Sequence, residues 1–206
     1  MTAVNRQFLL NARPHGEVKE TDLRYAETEM PTAGPGEALI KVEYIAVEPA
    51  MRGWMEDRAS YLAPLEIGDL MRAFGVGSII ESSNPKLPVG MRVAGMLGMQ
   101  AFAVADGKAF PLTPLDENID SATHVSVLGL TGLTAYCGMK SIGKPKDGET
   151  VFVSGAAGAT GSSAGQLAKI AGCRVIGTAG SDKKCEWLVN ELGFDAAINY
   201  KTEDVA

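Results

Sequence analysis

Four small residues in the second half of the chain, at positions 158–161, have the pattern of a turn whose backbone can approach a phosphate group. A β-branched and aromatic run at residues 151–153 predicts a strand before the turn, and apolar spacing over residues 162–171 predicts a helix after it. In such a turn, backbone N–H groups at the helix start donate to pyrophosphate oxygens. A tight turn that binds no nucleotide is the alternative, and a P-loop is excluded because no Gly-Lys-Ser/Thr closes the turn. The turn consists of Gly158, Ala159, Thr160 and Gly161.

The end of the next predicted strand, residues 173–179, bears on which dinucleotide would bind. An NAD site usually carries an acid about twenty residues after the glycines, where it binds the ribose 2′-hydroxyl. Residues 178–181 contain no acid, and Lys184 follows within one turn, where it could meet a 2′-phosphate. Asp182 is the competing interpretation, as a displaced ribose acid, although Ser181 or Asp182 could instead cap a helix over residues 183–192. The pattern favours NADP(H).

The elements that must position these residues fall in the second part of the chain. Small and apolar residues predict a helix from Val127 to about Ile142, a third parallel strand is predicted at residues 196–200, and residues 202–204 would begin another helix. A doubly wound dinucleotide fold normally has about six strands. Because only three are predicted, we expect the 206 residues to be the front part of a longer protein.

The first part of the chain differs, because short alternating segments are separated by Pro and Gly. This pattern of short segments predicts a compact β-rich domain over residues 1–127. It precedes the first half of a dinucleotide-binding domain over residues 128–206. Residues 49–69 are expected to be an irregular covering loop. The strands are predicted at residues 6–11, 37–47, 74–81, 92–96 and 101–105.

Composition excludes several classes of protein. A net charge of −6 argues against a nucleic-acid or anionic-membrane partner. No run approaches the roughly 20 apolar residues of a membrane helix, and no secretory leader is visible. The three cysteines, Cys137, Cys173 and Cys185, are scattered, which is typical of reduced thiols in a cytoplasmic protein.

Taken together, these segments resemble the medium-chain dehydrogenase/reductase superfamily, and most of all its zinc-free leukotriene B4 dehydrogenase/prostaglandin reductase branch, which includes curcumin-reductase-like enzymes and NADP-dependent alkenal double-bond reductases. The resemblance implies a GroES-like β domain followed by a Rossmann domain, and a homodimer formed through strands beyond Ala206. It implies that residues 158–161 hold the pyrophosphate. It also places Gly180, Ser181 and Lys184 around the adenosine 2′-phosphate and Tyr200 beside the ribose. The matching segments are residues 47–53, 128–136, 155–161, 180–184 and 198–201.

The chain departs from the family pattern at several positions. The family's Asp-Pro-Tyr-Met-Arg reads Glu-Pro-Ala-Met-Arg at residues 48–52, so Ala50 replaces an aromatic, and Met99 stands where tryptophan is common. The Gly-His-Glu motif and four-cysteine lobe of the zinc enzymes are absent from the sequence. His15 and His124, the only histidines, lie in unrelated contexts, so we expect no zinc site.

The expected reaction is transfer of hydride from NADPH to the C=C bond of an α,β-unsaturated ketone or aldehyde, which leaves an enolate oxygen that needs hydrogen-bond donors. Tyr61 and Met51 are candidates to line the substrate cleft, with packing as the alternative for both. Thr134 could reach the nicotinamide or bond its own backbone. The catalytic proton donor is expected beyond Ala206, so residues 1–206 alone should be poorly active. Quinone reduction and non-catalytic NADPH binding are the alternative functions.

Overall fold

The computed structural model describes residues 4–58 and 62–205. These residues form two compact units, of which the first ends at Val125 and the second begins at Ser126. The domain boundary expected from the sequence, between residues 127 and 128, stays a prediction. Within the described residues, no helix has both the length and the apolar character needed to cross a membrane.

The first unit is β-rich. A two-stranded antiparallel ribbon pairs β1 with β2, and a five-stranded antiparallel sheet has the order β6-β3-β4-β5-β7. A 3₁₀ turn at Glu20–Asp22 precedes β2. Short antiparallel strands form here because apolar and polar residues alternate between Pro and Gly turns. The strands are β1 Val4–Leu10, β2 Leu23–Glu29, β3 Ala38–Ile45, β4 Phe74–Ser82, β5 Arg92–Met96, β6 Phe102–Ala105 and β7 Thr113–Pro114.

Two hydrophobic clusters form the core of this unit. One packs side chains of β3, β4 and β5 around Ile40, Ile79 and Val93. The other packs Leu10 and Met71 against a helix, α1. The helices of this unit are α1 Pro49–Trp54 and α2 Ser121–Val125.

The expectation that residues 49–69 are wholly irregular is wrong at its beginning, because α1 lies there. Pro49 occupies the first turn, where its fixed φ suits a helix and its missing N–H costs nothing. Met51 and Trp54, three residues apart, bury the same face. A six-residue helix is too short for periodicity to reveal, so the tertiary contacts of these two side chains decide the conformation.

The second unit contains a three-stranded parallel sheet of order β10-β9-β8 with helices in the crossovers. This is the βαβαβ arrangement of a Rossmann domain, so the predicted fold class, a GroES-like β-rich part followed by the first Rossmann strands, is confirmed. Val175, Leu188 and Phe194 lie at the centre of its core. The elements are α3 Leu130–Cys137, a π-helix Gly138–Gly143, β8 Thr150–Val153, α4 Ala159–Ile170, β9 Arg174–Ala179, α5 Asp182–Asn190 and β10 Ala196–Asn199.

Several parts of the second unit differ from the sequence-based expectations. The helix expected from Val127 begins at Leu130, and it changes to π-helical hydrogen bonding from Gly138. Residues 202–204 do not begin a helix; the chain turns there, and the Glu203 N–H donates to the carbonyl of Asn199 at 2.9 Å.

Candidate functional site

The glycine turn joins β8 to α4 and leaves backbone donors free. Gly158 is the N-cap residue, and its carbonyl accepts the first helical hydrogen bond, from the Ser162 N–H at 2.8 Å. The N–H groups of Ala159, Thr160 and Gly161 have no acceptor within the described part of the chain. Such groups at the positive end of a helix dipole form an anion-binding site.

The turn is packed so closely that a side chain at Gly161 would not fit. A Cβ atom there would lie 2.6 Å from the carbonyl oxygen of Gly155 and 2.9 Å from the Cα of Ala156. Ala156 is fully buried, and its N–H donates to the carbonyl of Thr178 in β9 at 2.9 Å. The backbone of the turn is therefore held against two strands, which fixes the direction of the first turn of α4.

The ends of β9 and β10 lie side by side. Asn199 pairs with Ala179 in the parallel register, so Tyr200 and Gly180 are neighbours just beyond the sheet. The Tyr200 hydroxyl lies 2.7 Å from the position that a Cβ on Gly180 would take, and Cε of Lys201 lies 3.4 Å from it. Two of the predicted cofactor contacts, Gly180 and Tyr200, are thus brought together, and Lys201 joins them.

Asp182, the alternative ribose acid, is already engaged. Its Oδ1 accepts a hydrogen bond of 2.7 Å from Nδ2 of Asn199, a residue that is 5% exposed. The neighbouring acid, Glu203, accepts the backbone N–H of Asn199 through Oε1 at 2.9 Å. Both carboxylates near the strand ends are therefore tied to β10.

The lysine and serine side chains near the ends of β9 and β10 differ from these two carboxylates, because no hydrogen bond to β10 holds them among the described residues. Lys184 is exposed, and among the ion pairs of residues 4–58 and 62–205 none involves Lys184 or Lys201. Ser181 occupies the N-cap position of α5, as expected, but its hydroxyl makes no capping hydrogen bond. The helix begins at Asp182, one residue before the predicted start.

Thr134 lies on an exposed face of α3, where its hydroxyl donates to the carbonyl of Leu130 at 2.7 Å. This is the backbone bond that was the alternative to a nicotinamide contact. A threonine that bonds the preceding turn keeps an acceptor lone pair, so its predicted role at the cofactor stays a prediction.

One of the two substrate candidates, Met51, lies in the first unit. Met51 is 8% exposed and packs against Trp54 and Met71, so its side chain is part of the core there. Met99, the residue at the tryptophan position of the family, is half-buried and packs against the same cluster. Tyr61 lies outside the described residues. Substrate contact by Met51 and Tyr61 stays a prediction.

Two residues that sequence reasoning did not assign stand out in the structure. Glu48, the N-cap residue of α1, has a buried Oε1 with no hydrogen-bond partner among the residues that the structure describes, and burial raises the pKa of its carboxyl group. Asn199 is the buried amide that holds Asp182. The available signal was a polar residue at the end of an apolar strand in each case, Glu48 three residues after β3 and Asn199 as the last residue of β10.

No group of three or more His, Cys, Asp or Glu side chains arranged to hold a metal ion occurs within the described residues. His124 lies on α2, where Nε2 is 3.2 Å from the carbonyl oxygen of Asp116.

Two family models match the chain. The model described as the N-terminal domain of oxidoreductase covers residues 6–112, and the model described as zinc-binding dehydrogenase covers residues 159–206. The part matched by the second model contains no histidine and two cysteines, Cys173 and Cys185. The Cys173 thiol is buried and lies 3.2 Å from the carbonyl of Lys146.

Curated relatives and solved structures match nearly the whole chain. It is 37% identical over 203 residues to NADPH-dependent curcumin reductase of Escherichia coli (98% of this chain, 58% of the relative). It is 34% identical over 203 residues to 2-alkenal reductase (NADP(+)-dependent) of Nicotiana tabacum (97% of this chain, 59% of the relative). The crystal structure of CurA from Vibrio vulnificus in complex with NADPH matches with a TM-score of 0.89 and 36% identity, over 97% of this chain and 59% of that one.

The chain thus spans about 60% of the length of the relatives it matches. A β-rich unit that contains the Glu-Pro-Ala-Met-Arg segment comes first in the chain. A Rossmann unit that contains the glycine turn and the strand end at Gly180 follows it. The resemblance expected from the sequence is confirmed: the chain belongs to the medium-chain dehydrogenase/reductase superfamily, in its leukotriene B4 dehydrogenase/prostaglandin reductase branch with the curcumin and alkenal reductases.

Proposed function

We propose that this protein binds NADPH and reduces the activated C=C bond of α,β-unsaturated ketones or aldehydes. The observation that carries the proposal is the contrast at the end of β9, where the Asp182 carboxylate is bonded to Asn199 while the Lys184 ammonium makes no ion pair among the described residues. The names of the curcumin and alkenal reductases and the NADPH complex of CurA support the same assignment.

The first part of the proposed site is the start of α4. The N–H groups of Ala159, Thr160 and Gly161 are directed out of the helix start, where a pyrophosphate would accept them. The absence of a side chain at Gly161 keeps the helix against the turn and leaves the backbone accessible. These residues fit a dinucleotide phosphate.

The second part is the adenosine side. Lys184 and the Ser181 hydroxyl supply a cation and a donor for a 2′-phosphate, and Tyr200 covers Gly180 so that its ring can lie beside the ribose. A lysine meets a phosphate as a point charge, which suits a long, exposed side chain. We assign these residues to the 2′-phosphate and ribose, and Thr134 to the nicotinamide side.

The cofactor supplies a hydride when bound, and the protein has to orient it and exclude water. An alkene conjugated to a carbonyl group is already polarised, so the proposed reaction needs no metal ion. The enolate oxygen requires a hydrogen-bond donor, which we place beyond Ala206. Met51 and Tyr61 remain proposed contacts of the substrate.

We further propose that residues 1–127 form the substrate domain and residues 128–206 the start of the cofactor domain. The cysteines are free, with Cys137 exposed and Cys173 buried, which suits the reducing cytoplasm. A homodimer formed by a part of the protein beyond Ala206 is proposed from the family resemblance.

The cofactor assignment is tested by titrating the protein with NADPH and NADH and following nucleotide fluorescence. We expect NADPH to bind at least about tenfold more tightly, because a hydrogen bond to a charged group contributes about 1.5–3 kcal/mol and about 1.4 kcal/mol is a tenfold change. Lys184→Ala should weaken NADPH binding about tenfold without affecting NADH. The matched control is Lys183→Ala, which removes the same charge from the adjacent exposed position. Equal or tighter binding of NADH by the unaltered protein would contradict the assignment.

The reaction is tested with the natural full-length protein by comparing the turnover of a linear enone with that of a benzoquinone under NADPH. Faster turnover of the enone supports the proposal. Turnover of the quinone alone would identify a quinone reductase. Binding of NADPH with no oxidation of NADPH in the presence of either acceptor would indicate a non-catalytic NADPH-binding protein.

A further inference from the structure

Asn199 is a buried polar residue at the end of β10 whose side-chain nitrogen, side-chain oxygen and backbone N–H each make a hydrogen bond. Its side-chain Nδ2 donates to Oδ1 of Asp182 at 2.7 Å, and its Oδ1 accepts the backbone N–H of Lys201 at 3.2 Å. Its backbone N–H donates to Oε1 of Glu203 at 2.9 Å. One residue therefore joins the start of α5 to the turn that follows β10.

The first consequence concerns Asp182. An acid close to the end of the second strand of a dinucleotide fold is the group that binds a ribose 2′-hydroxyl in NAD sites. Asp182 lies only three residues after Ala179, the last residue of β9, and is close enough in sequence to take that role. The hydrogen bond from Asn199 directs one oxygen of this carboxylate toward β10 instead.

The second consequence concerns Glu203. This acid would otherwise be a free carboxylate beside Tyr200 and Lys201, where a phosphate dianion would be repelled. Its bond to the Asn199 N–H draws one carboxylate oxygen back onto the strand end. Both acids of this corner are thus restrained by a single residue.

The third consequence concerns Lys201. The side-chain amide oxygen of Asn199 holds the backbone N–H of Lys201, and Cε of Lys201 lies 3.4 Å from the Cβ position of Gly180. The ammonium group is one bond beyond Cε, so it lies at the corner where β9 ends. Within residues 4–58 and 62–205 this ammonium makes no ion pair, which leaves it available as a second cation in addition to Lys184.

We propose that Asn199 is a positioning residue for cofactor selectivity: it restrains the carboxylates of Asp182 and Glu203 and places Lys201, so that the adenosine ribose meets two lysines rather than an acid. The inference rests on the proposed binding of NADPH, and it adds two residues, Asn199 and Lys201, to the groups that decide between a 2′-phosphate and a 2′-hydroxyl. A 2′-phosphate near neutral pH carries close to two negative charges, so the two cations favour it, and carboxylates that are turned toward β10 oppose it less than free ones would.

The experiment compares dissociation constants for NADPH and NADH in the unaltered protein, Asn199→Leu, and the double variant Asn199→Leu/Asp182→Asn. Leucine removes both side-chain hydrogen bonds at similar volume. We expect the ratio of the NADH to the NADPH dissociation constant to fall about tenfold in Asn199→Leu, and the added Asp182→Asn change to restore most of it. A purely structural role would weaken both nucleotides equally and leave the ratio unchanged, which would overturn the inference.

Two surface variants keep the inference testable if Asn199→Leu does not fold. Lys201→Ala should weaken NADPH binding about fivefold and leave NADH binding unchanged, whereas Lys183→Ala, its matched control, should change neither. Equal effects of Lys201→Ala and Lys183→Ala would overturn the role of Lys201 and, with it, the inference. An unaltered protein that shows no preference for NADPH would overturn the proposed function as well. A preference that survives in a folded Asn199→Leu variant overturns only the inference.

Discussion

The hydroxyl oxygen of Tyr200 lies 2.7 Å from the point where a side chain on Gly180 would begin. The two residues are twenty positions apart in sequence and meet because β10 pairs in parallel with β9, with Asn199 opposite Ala179. The tyrosine ring therefore covers the bare backbone at the end of β9. A larger residue at position 180 would displace the ring before it disturbed any strand.

Gly180→Ala should weaken cofactor binding and spare the fold. The atoms nearest to the new methyl group are the ends of two flexible side chains, Tyr200 and Lys201, which can move away at little cost. We expect the dissociation constant for NADPH to rise about fivefold and the melting temperature to change little. The control is Gly138→Ala, where a Cβ would meet open space. Unchanged NADPH binding in Gly180→Ala would contradict the proposed role of Gly180 and its neighbours Tyr200 and Lys201 in cofactor binding.

Gly161→Ala should damage both the fold and the binding of phosphate. The new methyl group would meet backbone atoms of Gly155 and Ala156, which cannot rotate away as a side chain can. We expect a loss of about 1–3 kcal/mol in the free energy of unfolding, measured with urea. Gly158→Ala is the comparison, since its nearest neighbour, the Gly155 carbonyl oxygen, lies at 3.3 Å. If Gly158→Ala costs as much as Gly161→Ala, close packing of the turn does not explain the glycine at position 161.

The thiol of Cys185 should respond to the charge of Asp182. Burial raises the pKa of this thiol most, and the negative charges of Asp182 and Glu203 raise it further. Removing one negative charge stabilises the thiolate, so Asp182→Asn should lower the pKa and speed alkylation by iodoacetamide at pH 8. Mass spectrometry of the Cys185 peptide measures the rate, with Glu186→Gln as a control on the same helix. Slower alkylation in Asp182→Asn would contradict the predicted lowering of the thiol pKa.

Asp195 should stabilise the second unit at neutral pH and stop doing so in acid. Its Oδ2 accepts Nζ of Lys169 at 2.8 Å and the backbone N–H of Val175 at 2.6 Å, and the bond from Lys169 lowers the pKa of the carboxyl group most. A carboxyl pKa that is lower in the folded state adds stability above the unfolded value of about 3.9 and loses it as pH falls through the folded value.

Asp195→Asn should accordingly lower the melting temperature at pH 7, and the difference from the unaltered protein should shrink below about pH 4. Asparagine keeps an acceptor for the Val175 N–H, so the change isolates the charge. Glu191→Gln, which neutralises an exposed acid at the end of α5, is the control and should leave the melting temperature unchanged. A difference that persists undiminished at pH 3 would exclude ionisation as its cause.

Local patterns were sufficient for most regular elements. The strand at residues 92–96 was predicted with its observed bounds, and the glycine turn was placed correctly between β8 and α4. Strand alternation, helical spacing and turn glycines are properties of neighbouring residues, so they can be read without the fold. Elements of this kind fixed the fold class and the family.

Elements that depend on distant contacts were missed. β2 contains two acids, Glu27 and Glu29, and is largely exposed, so only its pairing with β1 makes it a strand. α1 is too short to show a period and forms because Met51 and Trp54 bury one face. In both cases the stabilising partner is far away in sequence, and a local sequence pattern carries no information about such a partner.

The nucleotide site divides in the same way. The sequence by itself determined that the turn at residues 158–161 has the small residues a phosphate needs, and that an aspartate and a lysine, Asp182 and Lys184, stand two positions apart after β9. It could not determine which of the two is available, because both lie at the start of one helix. Only the tertiary structure decided this, since parallel pairing of β10 with β9 carries Asn199 to Asp182, and a buried amide must satisfy its hydrogen bonds on the nearest acceptor.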